Sequence, residues 1–187
     1  MDEIVKQAMR RWPNVPHCFG WLALDARGAW WMRDARAQAC GAFTSGAPGS
    51  KGARLLHEGL QRFVQRNYQP DERGRWFFQN GPQRVFVELE AAPLIWRILP
   101  DGEVQSHDWQ AAGGAIDGAF VDEHGRLFLH SPRALGLVHS QDMLAAADAI
   151  EAGRLPLPEE VRFASLPQRF GYVLSPQAQH AAEPGKT

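Results

Sequence analysis

His17 and Cys18 stand side by side in the run Pro13-Asn14-Val15-Pro16-His17-Cys18-Phe19-Gly20, and the second cysteine, Cys40, follows 22 residues later. An imidazole beside a thiol can supply a cysteine nucleophile or part of a zinc site. A nucleophile needs its base within hydrogen-bond reach, however, and neighbours in an extended segment point apart. Zinc takes four ligands, typically in paired short spacings, and Cys40 has no close Cys or His partner. The plainer expectation is a half-buried loop shaped by Pro16. His124, His130 and His139, preceded by His107 and Asp108, fall at turns and strand ends, and His130 and His139 could approach each other at one sheet edge. That spacing is poor evidence for a metal. No Gly-rich phosphate loop, Gly-x-Ser-x-Gly elbow, His-Glu-x-x-His or Cys-x-x-Cys occurs, so the commonest enzyme classes lose their signatures and no cofactor is expected.

Composition narrows the partners. Lys plus Arg number 20 against 21 Asp plus Glu, a net charge of −1 that offers nucleic acid no counterion-release advantage. No apolar run approaches the roughly 20 residues a bilayer crossing needs. Two cysteines and a polar opening, Met1-Asp2-Glu3, are expected of a cytoplasmic chain. Of seven tryptophans, Trp12, Trp21, Trp30 and Trp31 lie close together. Adjacent Trp30 and Trp31 must face opposite sides of a strand, which leaves one for solvent, a helix or a partner.

The elements that must position these residues announce themselves in three turns. Asp25-Ala26-Arg27-Gly28, Asp71-Glu72-Arg73-Gly74 and Asp122-Glu123-His124-Gly125 each precede an apolar, aromatic-rich run. Asp first and Gly fourth suit a type I turn closed by a left-handed residue, the three-residue hairpin loop. Helices are expected over residues 2–12, over residues 53–68 with Leu56, Leu60, Phe63 and Val64 on one face, and from a Ser140 cap to Glu151 with Leu144, Ala147 and Ile150 buried. Residues 76–104 read as an antiparallel meander, with Glu88 and Glu90 on a solvated face; residues 161–174 read as one or two short strands. Residues 41–52 are Gly-rich and expected to be mobile, as a lid or an insertion.

The expected fold class is α+β, with antiparallel sheets built from hairpin-plus-helix units in two small lobes. The first lobe covers residues 1–112, Ala111-Ala112-Gly113-Gly114 marks the break, the second covers 113–174, and 175–187 form a disordered tail. An offset of 97 residues matches Asp25 with Asp122, Gly28 with Gly125 and Arg36 with Arg133, so the first and third hairpins are candidates for a duplication, with independent use of the same turn chemistry as the alternative.

The run from Trp12 through Gly20-Trp21-Leu22 to Met32, with Gly74-Arg75-Trp76-Phe77-Phe78-Gln79-Asn80-Gly81-Pro82, resembles an uncharacterised proteobacterial family of unknown function over most of residues 1–100. More distantly, the order hairpin, helix, meander, hairpin, with Glu90-Ala91-Ala92-Pro93-Leu94 after a Val-rich strand, resembles a second domain-of-unknown-function family. That resemblance implies repeated hairpin and helix motifs and a suggested part in signal transduction, and neither family offers catalytic residues to carry over.

The resulting expectation is a non-enzymatic cytoplasmic module that binds a small anionic ligand or a protein partner where the lobes meet. His17, Trp21, Arg36, Trp109, His130 and Arg133 are the candidate ligand-binding residues, with the two arginines as anion anchors. The competing expectations are a hydrolase using Cys18 or a histidine cluster with Asp108, and a structural interaction subunit whose exposed aromatic strands form an interface. Oligomeric state is left open.

Overall fold

The three Asp-x-x-Gly turns close as hairpins. The computed structural model describes residues 2–12, 15–99 and 101–182. Within it Gly28, Gly74 and Gly125 have φ of 76°, 74° and 71°, the left-handed conformation that the fourth turn position demands. The main-chain carbonyls of Asp71 and Asp122 each accept the amide of that glycine at 3.0 Å. Pro13, Asn14, Pro100 and the last five residues, assigned by sequence to a loop, a turn and a tail, lie outside the described residues.

The chain is of mixed α and β structure and divides into two compact units. The first takes residues 1–25, 29–90 and 172–187, the second residues 26–28 and 91–171. The Ala111-Ala112-Gly113-Gly114 break therefore falls inside the second unit, and the division comes after Glu90.

In the first unit, β1 (Cys18–Leu24), β2 (Trp30–Met32), β3 (Ala53–Arg54), β4 (Tyr68–Pro70), β5 (Trp76–Asn80) and β6 (Gln83–Leu89) form a sheet of order β3-β2-β1-β6-β5-β4. In the second, β7 (Leu94–Ile98), β8 (Val104–Ser106), β9 (Gly118–Val121), β10 (Leu127–His130), β11 (Leu135–Val138) and β12 (Glu159–Glu160) follow the order β12-β9-β10-β11-β7-β8. Neighbours are antiparallel except β1 with β6, β11 with β7 and β12 with β9. Tight turns can create only antiparallel pairs; the parallel ones need long connections, and turn signals do not reveal where those return.

Both sheets use one connection pattern. An opening hairpin (β1-β2 or β7-β8) is followed by a three-stranded meander (β4-β5-β6 or β9-β10-β11), whose last strand lies parallel to the first strand of the hairpin. The positions that correspond are thus Asp71-Glu72-Arg73-Gly74-Arg75 and Asp122-Glu123-His124-Gly125-Arg126, 51 residues apart. The offset of 97 instead joins an opening hairpin to a meander hairpin, so its matches reflect shared turn chemistry.

Helices cover the sheets with registers that tertiary packing adjusts. The first, α1 (Glu3–Arg11), buries only Val5. Asp34 caps the short α2 (Ala35–Ala39), accepting the Ala37 amide at 2.9 Å. Residues 53–54 are taken by β3 pairing with β2, so α3 (Glu58–Arg66) starts later than its apolar spacing indicates, capped by His57 Nδ1 on the Leu60 amide. Its Phe63 packs edge-on against Phe78, ring centroids 5.4 Å apart. A 3-10 turn over Ser140–Asp142, capped by His139 rather than Ser140, precedes α4 (Met143–Glu151). That shift buries Ala146 and Ala149 and leaves Leu144 76% exposed. Where short strands were expected after residue 161, Phe163–Ser165 turn into α5 (Leu166–Arg169). From Ser175 the expected tail forms α6 (Pro176–Ala182), packed against β1 and β6. No helix among the described residues is long and apolar enough to cross a membrane.

Candidate functional site

One face of the first sheet carries a cavity of about 810 Å³, formed within the first unit by β1 to β3, α2, α3 and the ends of β5 and β6. This volume suits a drug-sized ligand, for which pockets run roughly 300–1,000 Å³. Its walls are mostly apolar. Trp21 and Met32, on adjacent strands, keep about half of their surface exposed, at 49% and 51%, and Leu60 adds an apolar face from α3. A half-open indole beside a cavity offers an apolar body and one N–H donor to whatever enters it.

The polar groups around this cavity differ sharply in what they already hold. Arg33 is only 1% exposed and donates from Nε to the Ser50 carbonyl at 2.8 Å, from Nη2 to Gly41 at 2.6 Å and from Nη1 to Gly20 at 3.3 Å. This clamp, with Phe43 buried beneath, builds the Gly-rich segment 41–52 into the unit, where composition alone indicates a mobile loop. The Asp34 carboxylate caps α2, and His57 Nδ1 caps α3. An Nδ1 that accepts leaves Nε2 as the donor of the neutral ring. Arg36 and Arg54, which also line the cavity, make no side-chain hydrogen bond or ion pair among the described residues.

Of the six residues singled out by sequence, Trp21 and Arg36 meet in this cavity. His17 immediately precedes β1 and turns to Phe86, ring centroids 5.7 Å apart. Partial burial, then the charges of Arg84 and Arg75, hold its pKa below the ordinary value. The other three belong to the second unit. Arg133 is engaged within the fold: Nη2 donates to Asp108 at 2.6 Å and Nη1 to Ser106 Oγ at 2.7 Å. Trp109, in the same tight loop, is 73% exposed with φ of 61°, a left-handed conformation uncommon for a bulky residue. The His130 Nδ1 lies 2.6 Å from Asp117, and its ring packs on Phe170 at 5.0 Å. His139 is occupied as a cap, apart from these contacts.

Arg54 was not among the sequence candidates, and its position in a two-residue edge strand leaves no local signal. Arg33 was missed for a similar reason, although its place just ahead of a Gly-rich segment, whose carbonyls approach closely, is a usable clue. Glu88 is a correction: it is only 3% exposed, beneath α6, not solvated. Its carboxylate accepts Ser175 Oγ at 2.5 Å and the Gln177 amide at 3.0 Å. Glu90 keeps a partly exposed pair with Lys51 at 3.1 Å.

Both cysteines are free thiols on the cavity wall, and burial pushes the Cys18 thiol pKa up, away from the thiolate. Among the described residues no group of three or more His, Cys, Asp or Glu side chains is placed to hold a metal ion.

No curated protein matches the chain. Two solved structures resemble it. A DUF1285 family protein from Silicibacter pomeroyi DSS-3 is 12% identical with a TM-score of 0.46, over 79% of this chain and 84% of that one. A second DUF1285 family protein, from Shewanella baltica OS155, is 12% identical with a TM-score of 0.39, over 68% of this chain and 91% of that one. The family model DUF2944, described as "Protein of unknown function (DUF2946)", matches residues 1–177, and the chain belongs to that family.

Proposed function

We propose that the first unit is a non-enzymatic binding module that takes a small ligand with an apolar body into the cavity beside Trp21, and that its role is regulatory. The observation that carries this reading is the cavity itself: about 810 Å³ of mostly apolar wall with a half-exposed indole. Catalysis is less well supported, because a nucleophilic cysteine needs an activated thiolate and burial drives Cys18 the other way. Two unpaired thiols fit a reducing cytoplasm.

The test is fluorescence titration with the uncharged probe N-phenyl-1-naphthylamine, with near-UV circular dichroism as a control for native packing. The expected result is saturable binding by the wild type, weakened by Trp21→Ala and blocked by Ala53→Trp, which places an indole in the cavity mouth. Absence of binding to the folded wild type, or binding indifferent to both substitutions, refutes the reading.

A further inference from the structure

Resting on the reading of the cavity as a ligand site, we infer that α6 is a strap that controls it. Docked, α6 pins the α2 wall of the cavity through the hydrogen bond from Gln177 to Gln38, and a ligand in the cavity holds α6 down in return. The strap lies across the sheet from the cavity. On β6, Val85 lines the cavity and Glu88, three residues on, meets α6, so the two side chains point to opposite faces. With seven residues α6 is too short to stay helical alone in water, where about 12–15 are needed, so its order depends on its dock. That dock is largely polar: Pro176 is the buried residue of the helix, Glu88 accepts Ser175 Oγ and the Gln177 amide, and the His180 ring stacks on Phe19 at 4.2 Å. A short helix held in this way opens more readily than the core strands beneath it.

Gln177 joins the strap to the cavity wall. Its Nε2 donates to Gln38 Oε1 at 3.0 Å, and Gln38 Nε2 donates to the Arg33 carbonyl at 3.1 Å. Gln38 belongs to α2, whose Arg36 and Ala37 line the cavity. Among the described residues the other side-chain hydrogen bonds of this short helix, the Asp34 cap and Gln38 to Arg33, are local, so the bond from Gln177 is its one tie to a distant part of the chain. The Gln177 carboxamide also lies on Gly20, where a Cβ would come within 2.6 Å of it, and the Gly20 carbonyl in turn accepts Arg33 Nη1. One side chain of α6 thus touches both β1 and α2, two elements of the cavity wall. Docking and ligand binding then bias one equilibrium, so each must strengthen the other by the same factor.

The full chain, with N-phenyl-1-naphthylamine as the probe, provides the test. Gln38→Ala and Gln177→Ala each break the tie without removing a cavity-lining side chain. Each should weaken naphthylamine binding about fivefold, the worth of one neutral hydrogen bond, and the double variant no further, because both remove the same bond. By hydrogen exchange, saturating naphthylamine should slow the amides of residues 177–182 about fivefold in the wild type and leave them unchanged in either variant. Loss of the slowing in the variants separates the coupling from the general stabilisation that any bound ligand gives. Variants that bind the probe as the wild type does, or α6 exchange in the wild type that ignores the probe, overturn the strap while the cavity reading stands. The wild-type exchange measurement decides the matter even where a variant loses its near-UV circular dichroism. If the folded wild type does not bind the naphthylamine, the cavity reading and the strap fall together.

Discussion

Arg126 closes over Asp122, its Nε donating to Oδ2 at 2.7 Å, while Oδ1 accepts the amides of His124 and Arg126, each at 2.9 Å. One carboxylate thus ties both ends of a five-residue loop and anchors a guanidinium whose face lies 4.3 Å from the Phe163 ring centroid. Asp71 and Arg75 repeat the arrangement at the corresponding place in the first unit, with Nε to Oδ2 at 2.8 Å.

These carboxylates predict acid sensitivity of a definite sign. Burial raises the Asp122 pKa, but the Arg126 amide and guanidinium and the His124 amide outweigh it and hold the carboxyl below its ordinary 3.8. A depressed pKa in the folded state contributes stability that is present above the unfolded value and lost as pH falls through the folded one. Asp122→Ala should therefore cost about 1.5–3 kcal/mol at neutral pH, the worth of hydrogen bonds to a charged group. Urea unfolding at pH 7 and again well below 3.8 checks this, since the gap from the wild type should narrow at the lower pH. A gap of the same size at both would show that the aspartate acts through shape alone.

Arg33 predicts a loop phenotype. Lysine at this position has one ammonium in place of a planar fork and cannot reach the carbonyls of Gly20, Gly41 and Ser50 together. Each buried carbonyl left without a donor costs about 1–3 kcal/mol, so Arg33→Lys should lower stability by roughly 2 kcal/mol or more. The segment 41–52 should also become sensitive to limited proteolysis before the rest of the chain unfolds. Unchanged melting together with unchanged cleavage would show that the clamp contributes nothing.

The contrast between these two sites explains what could be read in advance. The Asp-x-x-Gly turns are local: donor, acceptor and left-handed glycine lie within five residues, so their chemistry is visible in sequence. The individual strands from Trp76 to Val104 are legible for the same reason, but not as the one antiparallel meander expected: β6 and β7, adjacent in sequence, belong to different sheets and take the parallel partners β1 and β11, which turn signals do not reveal. Arg33 depends on carbonyls as far as 17 residues away, and Glu88 meets Ser175 at a separation of 87 residues. Partners that distant leave no spacing signal, so a buried ion and an exposed one look alike. Trp21 and Arg36, picked out by residue type, line the cavity, whereas the part of the lining that comes from β3 enters only when β3 pairs with β2.

Glu88 predicts a pH dependence opposite to that of Asp122. Burial raises its pKa above the ordinary 4.5, and the opposing effects of Ser175, the Gln177 amide and Arg33 do not cancel the rise. A carboxyl raised in the folded state favours folding below its unfolded value and loses that contribution as pH rises through the folded one. The stability of Glu88→Gln relative to the wild type should accordingly improve between pH 4.5 and pH 8, groups common to both chains cancelling in the difference. Denaturant unfolding of both proteins across that range provides the measurement. A relative stability that declines with pH would mean the ionised carboxylate is favoured beneath α6.

Arg133 and Arg36 should separate cleanly when each is changed to alanine. Asp108 is a buried carboxylate whose pKa burial raises, while Arg133, His107 and Ser106 bring it below the ordinary value. Arg133 supplies two of its hydrogen bonds, at 2.6 and 3.2 Å. Removing the guanidinium leaves that charge without its counterion, and breaking a buried pair in this way costs about 3–5 kcal/mol. Asp108→Ala in the same chain should recover part of the loss, because the stranded charge is then gone, and the double-mutant cycle measures the coupling. Arg36 has no partner among the described residues, so Arg36→Ala should stay within about 0.5 kcal/mol of the wild type. Thermal melts of the wild type, the three variants of the cycle and Arg36→Ala decide the matter. If Arg133→Ala melts with the wild type, the Asp108 pair is not structural; if Arg36→Ala is the destabilised variant, the guanidinium at the cavity belongs to the fold and is not free for a ligand.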